Sequence, residues 1–204
     1  MPPAESEEKV RWDTRYSESP ASWTEPDEFL QRAHAEFLSK IPPGNALDVA
    51  GGAGRNALFL ARRGWRVKLM DISEVGLGLA RKKAEEIEGA RLSATEGASL
   101  ETVLVDLNTV SDLGVAVYNL ITVFYFLRRE LFPAVLGALR PGGFLIYRTY
   151  TVDRMKVPGG PDDAKYLLQP NELLRAFPSL RVLHYHETLE GKAAAELVAC
   201  RNMD

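Results

Sequence analysis

The run Asp48-Val49-Ala50-Gly51-Gly52-Ala53-Gly54-Arg55-Asn56 is the part of the chain best suited to hold a ligand. Small residues let a backbone approach a bound molecule closely, and amides exposed where a helix opens attract an anionic or polar group. Asp71 follows at the interval, about 20 residues, at which an acid accepts hydrogen bonds from ribose hydroxyls. No basic residue adjoins it in sequence, so the acid has no evident structural duty there. Turns that bind a dinucleotide pyrophosphate carry G-x-G-x-x-G directly after the strand. Here the spacing is A-G-G-A-G, no third glycine follows in register, and the acid Asp48 precedes the turn. A carboxylate in that place opposes a pyrophosphate and suits a ligand with a positively charged amino group.

A second set of residues is placed to meet a reaction partner. Tyr125, Arg128, Tyr150 and His186 follow strand ends or line the C-terminal region. Each also suits a structural role. Tyr125 lies in an aromatic run with Phe124 and Phe126, and Arg128-Arg129 suits a solvated helix start. His184 and His186 alternate along one strand face, but no acid or cysteine is placed with them, so no metal site is assigned. His34 is expected on the surface of an amphipathic helix, and Cys200, in an apolar run, is expected to pack rather than react.

The elements that position these residues follow from hydrophobic period and punctuation. Residues 1–10 read as a tail, followed by Trp12, Tyr16 and Trp23 among charges and helix breakers. Asp27 to Lys40 has a helical stripe of Phe29, Leu30, Ala33, Phe37 and Leu38, capped by Asp27 and stopped by Pro42-Pro43-Gly44. Strands are predicted over 46–50, 66–71, 102–106, 119–124 and 144–150, and helices over 56–63, 73–87 and 131–140, the last ended by Pro141-Gly142-Gly143. The polar stretch 88–99 and the Pro/Gly-rich stretch 157–163 read as loops, with a short helix near 171–177. This alternation means a parallel sheet flanked by helices. Two last strands, 181–187 and 194–201, are joined by too few residues for a crossover helix, so they pair antiparallel.

Composition bounds the possibilities further. With 204 residues, 46% hydrophobic and 26% charged, the chain suits one globular domain. A net charge of -3 supplies no general field for nucleic acid or an anionic membrane. One cysteine excludes an intrachain disulfide or a cysteine-cluster metal site, and no run approaches a membrane span. With a polar, acidic start unlike a signal peptide, these features point to a cytoplasmic protein.

The segment ALDVAGGAGRNALFLARRGWRV resembles motif I of class I S-adenosylmethionine-dependent methyltransferases. The run G-R-N-A-L-F-L-A is similar to the branch holding the tellurite-resistance and thiopurine-methyltransferase-like enzymes. R-W-D-T-R-Y at the start, V-D-L-N after the third strand, Y-N-L-I-T-V-F in the fourth and L-R-P-G-G-F-L-I-Y before the last part of the sheet match in order, covering about residues 11–201. The resemblance implies a Rossmann-like, doubly wound α/β fold. Its seven-stranded sheet would be mostly parallel, with an antiparallel C-terminal strand. Residues 27–204 would form the methyltransferase domain, behind a tail and cofactor-covering segment at 1–26. It implies S-adenosylmethionine as cofactor and S-adenosylhomocysteine as product. Asp48 and the backbone of Ala50, Gly51, Gly52 and Gly54 would hold the methionine part, with Arg55 and Asn56 beside it. Asp71 would bind the ribose, Ile72 would pack on adenine, and Asp106 and Leu107 would meet the adenine edge. Thr122 and Val123 would line the sulfonium end, and Trp12, Arg15 and Tyr16 would enclose the cofactor, Arg15 facing its carboxylate.

The departures bear on the acceptor. Relatives carry Gly and Cys where this chain has Ala50 and Gly51, both still small, and Asp where it has Asn119. Arg148 stands where many carry a glutamate near the acceptor side, and the link at 189–192 is too short for the His- and Arg-bearing connection of tellurite-resistance enzymes. Tellurite chemistry is therefore not assigned. The expectation is a methyltransferase for a small-molecule acceptor, monomeric or homodimeric, without a nucleic-acid or membrane partner. Its alternatives are a non-catalytic cofactor-binding protein of the same fold and, less well matched, a nicotinamide oxidoreductase.

Overall fold

The structure, a computed structural model, describes residues 6–19, 24–88, 99–156 and 163–203. Trp23, most of the loop expected over 88–99 and most of that over 157–163 lie outside the described residues. The chain divides into two units, Met1–Val110 and Ser111–Asp204.

The first unit opens with α1 (Glu7–Glu18), where residues 7–10 were expected to belong to a tail. Ser6 caps it by accepting from the Lys9 amide, Glu7 and Glu8 complement the positive helix start, and Lys9 pairs with Asp13 at 2.6 Å. α2 (Glu28–Ala33) begins at the expected cap, the Asp27 carboxylate accepting from the Phe29 amide, and runs on as a π-helical turn over His34–Leu38. β1 (Asn45–Val49) is buried almost throughout, and α3 (Arg55–Ala61) buries every residue from Asn56 onward. β2 (Arg66–Asp71) and α4 (Glu74–Glu88) follow as expected, but β3 occupies Ser99–Leu104 instead of 102–106. β3 is half exposed, so its apolar signal is weak, and its register against β2 (Arg66 opposite Ser99, Asp71 opposite Leu104) sets its bounds. Asp106 consequently sits in the turn after the strand. β1 and β3 flank β2, both parallel to it.

The second unit contains β4 (Tyr118–Phe124), α5 (Phe132–Ala138) entered through a 3-10 turn at Arg129–Leu131, and β5 (Leu139–Tyr150). Further on come α6 (Glu172–Ala176), β6 (Leu180–Glu187) and β7 (Ala194–Arg201). Pro141-Gly142-Gly143 does not separate a helix from a strand. It lies inside β5, where the register steps from Tyr118 opposite Leu139 to Leu120 opposite Phe144, so the extra residues bulge out of the ladder. β4 and β5 are parallel, and β7 runs antiparallel to both β5 and β6. The strands of both units make up a seven-stranded, mostly parallel sheet with an antiparallel C-terminal strand, the Rossmann-like α/β class expected. Among the described residues no helix is long and apolar enough to cross a membrane.

Candidate functional site

β1 delivers the turn to the carboxyl end of the strand, where open α/β sheets bind ligands. Asp48 ends up 1% exposed. Ala50, Gly52 and Gly54 take φ of +54°, +56° and +75°, an alternation of left-handed residues from which concave runs of backbone amides are built. Two close approaches require glycine. A Cβ on Gly52 would stand 1.8 Å from the Tyr16 hydroxyl oxygen, and one on Gly54 would meet the Ala80 Cβ at 2.7 Å.

Asp71 turns out to have a structural duty after all. Its Oδ2 accepts the Gly52 amide and its Oδ1 the Ser73 amide, each at 2.8 Å, so one carboxylate ties the glycine turn to the entry of α4. Burial pushes this acid up to about 6; the Ser73, Gly52 and Ile72 amides pull it down, and the Asp13 carboxylate adds to the rise. The carboxylate keeps acceptor capacity beyond these amides. Ile72, 9% exposed, follows directly.

The residues expected to cover the turn divide. Tyr16 is buried, its ring within contact of both Gly52 and Gly76 and stacked on Trp12 at 5.8 Å. Burial raises the Tyr16 hydroxyl far above its ordinary value, and the Asp71 and Asp48 carboxylates act in the same direction. Arg15 is exposed, its guanidinium 5.2 Å over the Trp12 ring, which does not place it against the turn. Arg55 and Asn56 both engage Asp27: Asn56 Oδ1 accepts the Asp27 amide at 2.9 Å, and Arg55 Nη2 lies 3.6 Å from Asp27 Oδ2. They dock α2 onto α3. Asp106 Oδ1 accepts the Asn108 amide at 2.8 Å and closes its own turn beside the buried Leu107. The sequence reading missed Asp13, which binds Ser73 and the Val75 amide from α1; the R-W-D-T-R-Y run held it in view between the residues that were chosen. A groove of about 310 Å³ in this unit, lined by Arg55, Phe59, Arg62, Arg63 and Lys83 among others, includes neither the glycines nor Asp71.

In the second unit Thr122 and Val123 are buried in β4. Of the residues expected near an acceptor, Tyr125 and Tyr150 come together with ring centroids 5.0 Å apart. Arg128 lies 3.8 Å from Glu130, and its neighbour Arg129 is no solvated helix start: it grips Glu172 with two hydrogen bonds of 2.6 and 2.9 Å. His186 is exposed, whereas His184, half-buried, lies 3.8 Å from the buried Glu196. His34 packs edge-on against Phe59 at 5.5 Å, which a wholly exposed side chain would not.

Residues 46–143 match the family model described as a methyltransferase domain. No curated protein matches the sequence. Solved structures with the same fold include TehB from Haemophilus influenzae, 18% identical with a TM-score of 0.70 over 94% of this chain and 67% of that one. A SAM-dependent methyltransferase from Aquifex aeolicus is 16% identical with a TM-score of 0.63, covering 94% and 97%. The [4+2]-cyclase SpnF is 14% identical with a TM-score of 0.72, covering 100% and 98%. At these identities the structures speak for the fold alone, and the family model marks residues 46–143 as similar to a methyltransferase domain.

Proposed function

We propose that the chain binds S-adenosylmethionine at the 48–56 turn and the Asp71 end of β2, and that it methylates a small-molecule acceptor. The observation carrying this reading is the pair of buried carboxylates, Asp48 and Asp71, set around a turn whose Gly52 amide is bound by one of them. The cofactor presents an ammonium and two ribose hydroxyls, all donors, and two acids satisfy donors. A pyrophosphate would meet two like charges instead. The glycine turn, which a Cβ would fill, gives the close approach such a ligand needs.

In this reading Asp48 accepts the ammonium and Asp71 the ribose hydroxyls, with Ile72 against the base and Leu107 beside it. Tyr16 and Trp12 enclose the site from α1. Thr122 and Val123 are assigned to the sulfonium end from the family pattern alone. When bound, the cofactor supplies an activated methyl group on a sulfonium leaving group. The protein's part is therefore positioning and exclusion of water, and a general base is required only for an acceptor protonated at working pH.

Calorimetric titration with S-adenosylhomocysteine against NAD tests the site. Binding of the first and not the second is expected, and the Asp71→Ala variant should bind about 1–3 kcal/mol more weakly. Because a [4+2]-cyclase shares the fold, a cofactor-binding protein without methyl transfer is the second reading. Conversion of the cofactor to S-adenosylhomocysteine in the presence of acceptors separates the two; binding without conversion across thiols, phenols and carboxylates favours the second.

A further inference from the structure

The groove in the first unit lies away from the glycine turn and gathers positive charge. Its volume, about 310 Å³, is at the lower end of what small-molecule pockets enclose. Among the described residues, Arg55, Arg62, Arg63 and Lys83 line it together with the acids Glu25 and Glu86. Arg55 is answered by Asp27, 3.6 Å away, and Lys83 feels the Glu86 carboxylate. With Asp27 counted among the acids, the cations still exceed them by one. Arg62 and Arg63 are neighbours in the turn that ends α3, so positive charge is densest there. The helix end explains only part of it, because its dipole amounts to roughly half a negative charge against two guanidinium groups. Arg63 is also held in place. Its Cζ lies 3.5 Å from the centroid of the Phe59 ring, and its Nη1 donates to the Phe59 carbonyl at 3.0 Å. Burial and the neighbouring Arg62 charge hold the Arg63 guanidinium below its ordinary pKa, and burial does the same to Lys83.

We infer that this groove is a second binding site, separate from the 48–56 turn, for a small multivalent oxyanion of the phosphate-ester class, gripped by Arg62, Arg63 and Lys83. Guanidinium forks match the paired oxygens of a phosphate, and an ammonium adds a compact point charge. An anion between the two arginines offsets their mutual repulsion. A guanidinium already fixed on Phe59 gives up little side-chain freedom when it binds. Pro26 and Leu58 line the same groove and supply apolar contact for the organic part of an ester. Glu25 and Glu86 bound the size of the ligand: an extended polyanion would run against them, whereas a compact one fits between the cations. The net charge of -3 gives a nucleic acid no general attraction either. The inference goes beyond the proposed function and does not rest on it. The two sites have opposite preferences, since the buried carboxylates Asp48 and Asp71 repel the pyrophosphate that the groove attracts.

The test titrates the full chain with inorganic pyrophosphate and with acetate by calorimetry at fixed ionic strength, with and without saturating S-adenosylhomocysteine. Pyrophosphate is expected to bind at least about tenfold more tightly than acetate, and equally well in both conditions. The Arg62→Gln/Arg63→Gln double variant should lose at least about tenfold in pyrophosphate affinity and keep its circular dichroism spectrum. Because Arg63 packs on Phe59, Arg62→Gln alone, at an exposed position, gives a second reading and should lose at least about threefold. Arg81→Gln/Lys82→Gln removes the same charge from α4 outside the groove and should leave the affinity unchanged. Equal affinity for acetate, an equal loss in the α4 variant, or pyrophosphate binding abolished by S-adenosylhomocysteine would each overturn the inference. So would a single-stranded oligonucleotide that binds more tightly than pyrophosphate and loses that binding in the Arg62/Arg63 variant, since the groove would then serve a polymer. The two readings fail separately: pyrophosphate binding without S-adenosylhomocysteine binding removes only the cofactor reading, and the reverse result removes only the groove.

Discussion

Asp13 of α1 accepts a hydrogen bond from the Ser73 hydroxyl at 2.5 Å, at the entry of α4. Its Oδ1 also takes the Val75 amide at 3.2 Å, and Ser73 Oγ in turn accepts the Gly76 amide at 3.0 Å. A carboxylate from one helix thus caps the positive end of another. The contact holds α1 where Tyr16 can lie on Gly52 and Gly76.

Asp13→Ala is therefore expected to cost about 1–3 kcal/mol and to release α1 first. Hydrogen exchange should accelerate at the amides of Glu7–Glu18 while those of β1 and β2 stay protected. Burial raises the Asp13 pKa, but hydrogen bonds from Lys9, Ser73 and Val75 outweigh it, so the folded value lies below the ordinary 3.8. For an acid with a depressed folded pKa, the stabilisation is present above the unfolded value and lost as pH falls through the folded one. Docking of α1 should weaken only below about pH 4. Uniform exchange across the first unit in the variant would contradict a local role.

Asp71 carries the opposite sign. Its folded pKa of about 6 lies above the ordinary 3.8, so it costs the fold stability as pH rises between these values. In the proposed reading the same ionisation prepares it to accept ribose hydroxyls. Affinity for S-adenosylhomocysteine should hold between pH 8 and 7 and fall about tenfold by pH 5, where an acid of that pKa is mostly protonated. Calorimetry across this range checks it, and Asp71→Asn should flatten the profile.

Gly52→Ala combines two penalties: a left-handed φ for a residue with Cβ, about 1 kcal/mol, and overpacking against Tyr16, about 1–3 kcal/mol. Only the first should survive when Tyr16→Ala is added. Urea midpoints of the two single variants and the double variant should give a coupling of at least about 1 kcal/mol. Strict additivity would show that the ring does not stand over Gly52.

How much of this was legible depended on what held each element. β1 and α3 are apolar and deeply buried, and β2 alternates the buried Val67, Leu69 and Asp71 with more exposed residues, so hydrophobic period located all three and the small-residue turn after β1. β6 and β7 were paired correctly because a short link forbids a crossover. α1 was missed because Tyr16 is its one buried side chain, and no apolar stripe announces a helix held by a serine cap and a carboxylate. β5 hid its start because Pro-Gly-Gly normally ends elements, and only a neighbouring strand reveals a bulge. Asp71 was read as a ribose-binding acid, but its amide partners arise from packing, and the Arg129 grip on Glu172 spans 43 residues that no local pattern connects.

Arg148 and Glu196 form an ion pair whose side chains are each 6% exposed, a setting where desolvation of both charges offsets much of their attraction. Removing one partner takes away the charge facing the other in a buried setting, so Arg148→Met should cost about 3–5 kcal/mol by denaturant midpoint. Replacing both, Arg148→Met with Glu196→Leu, fills the same space with apolar atoms and should recover most of that loss, with an unchanged denaturant slope. A single variant costing under about 1 kcal/mol would mean that water reaches the pair.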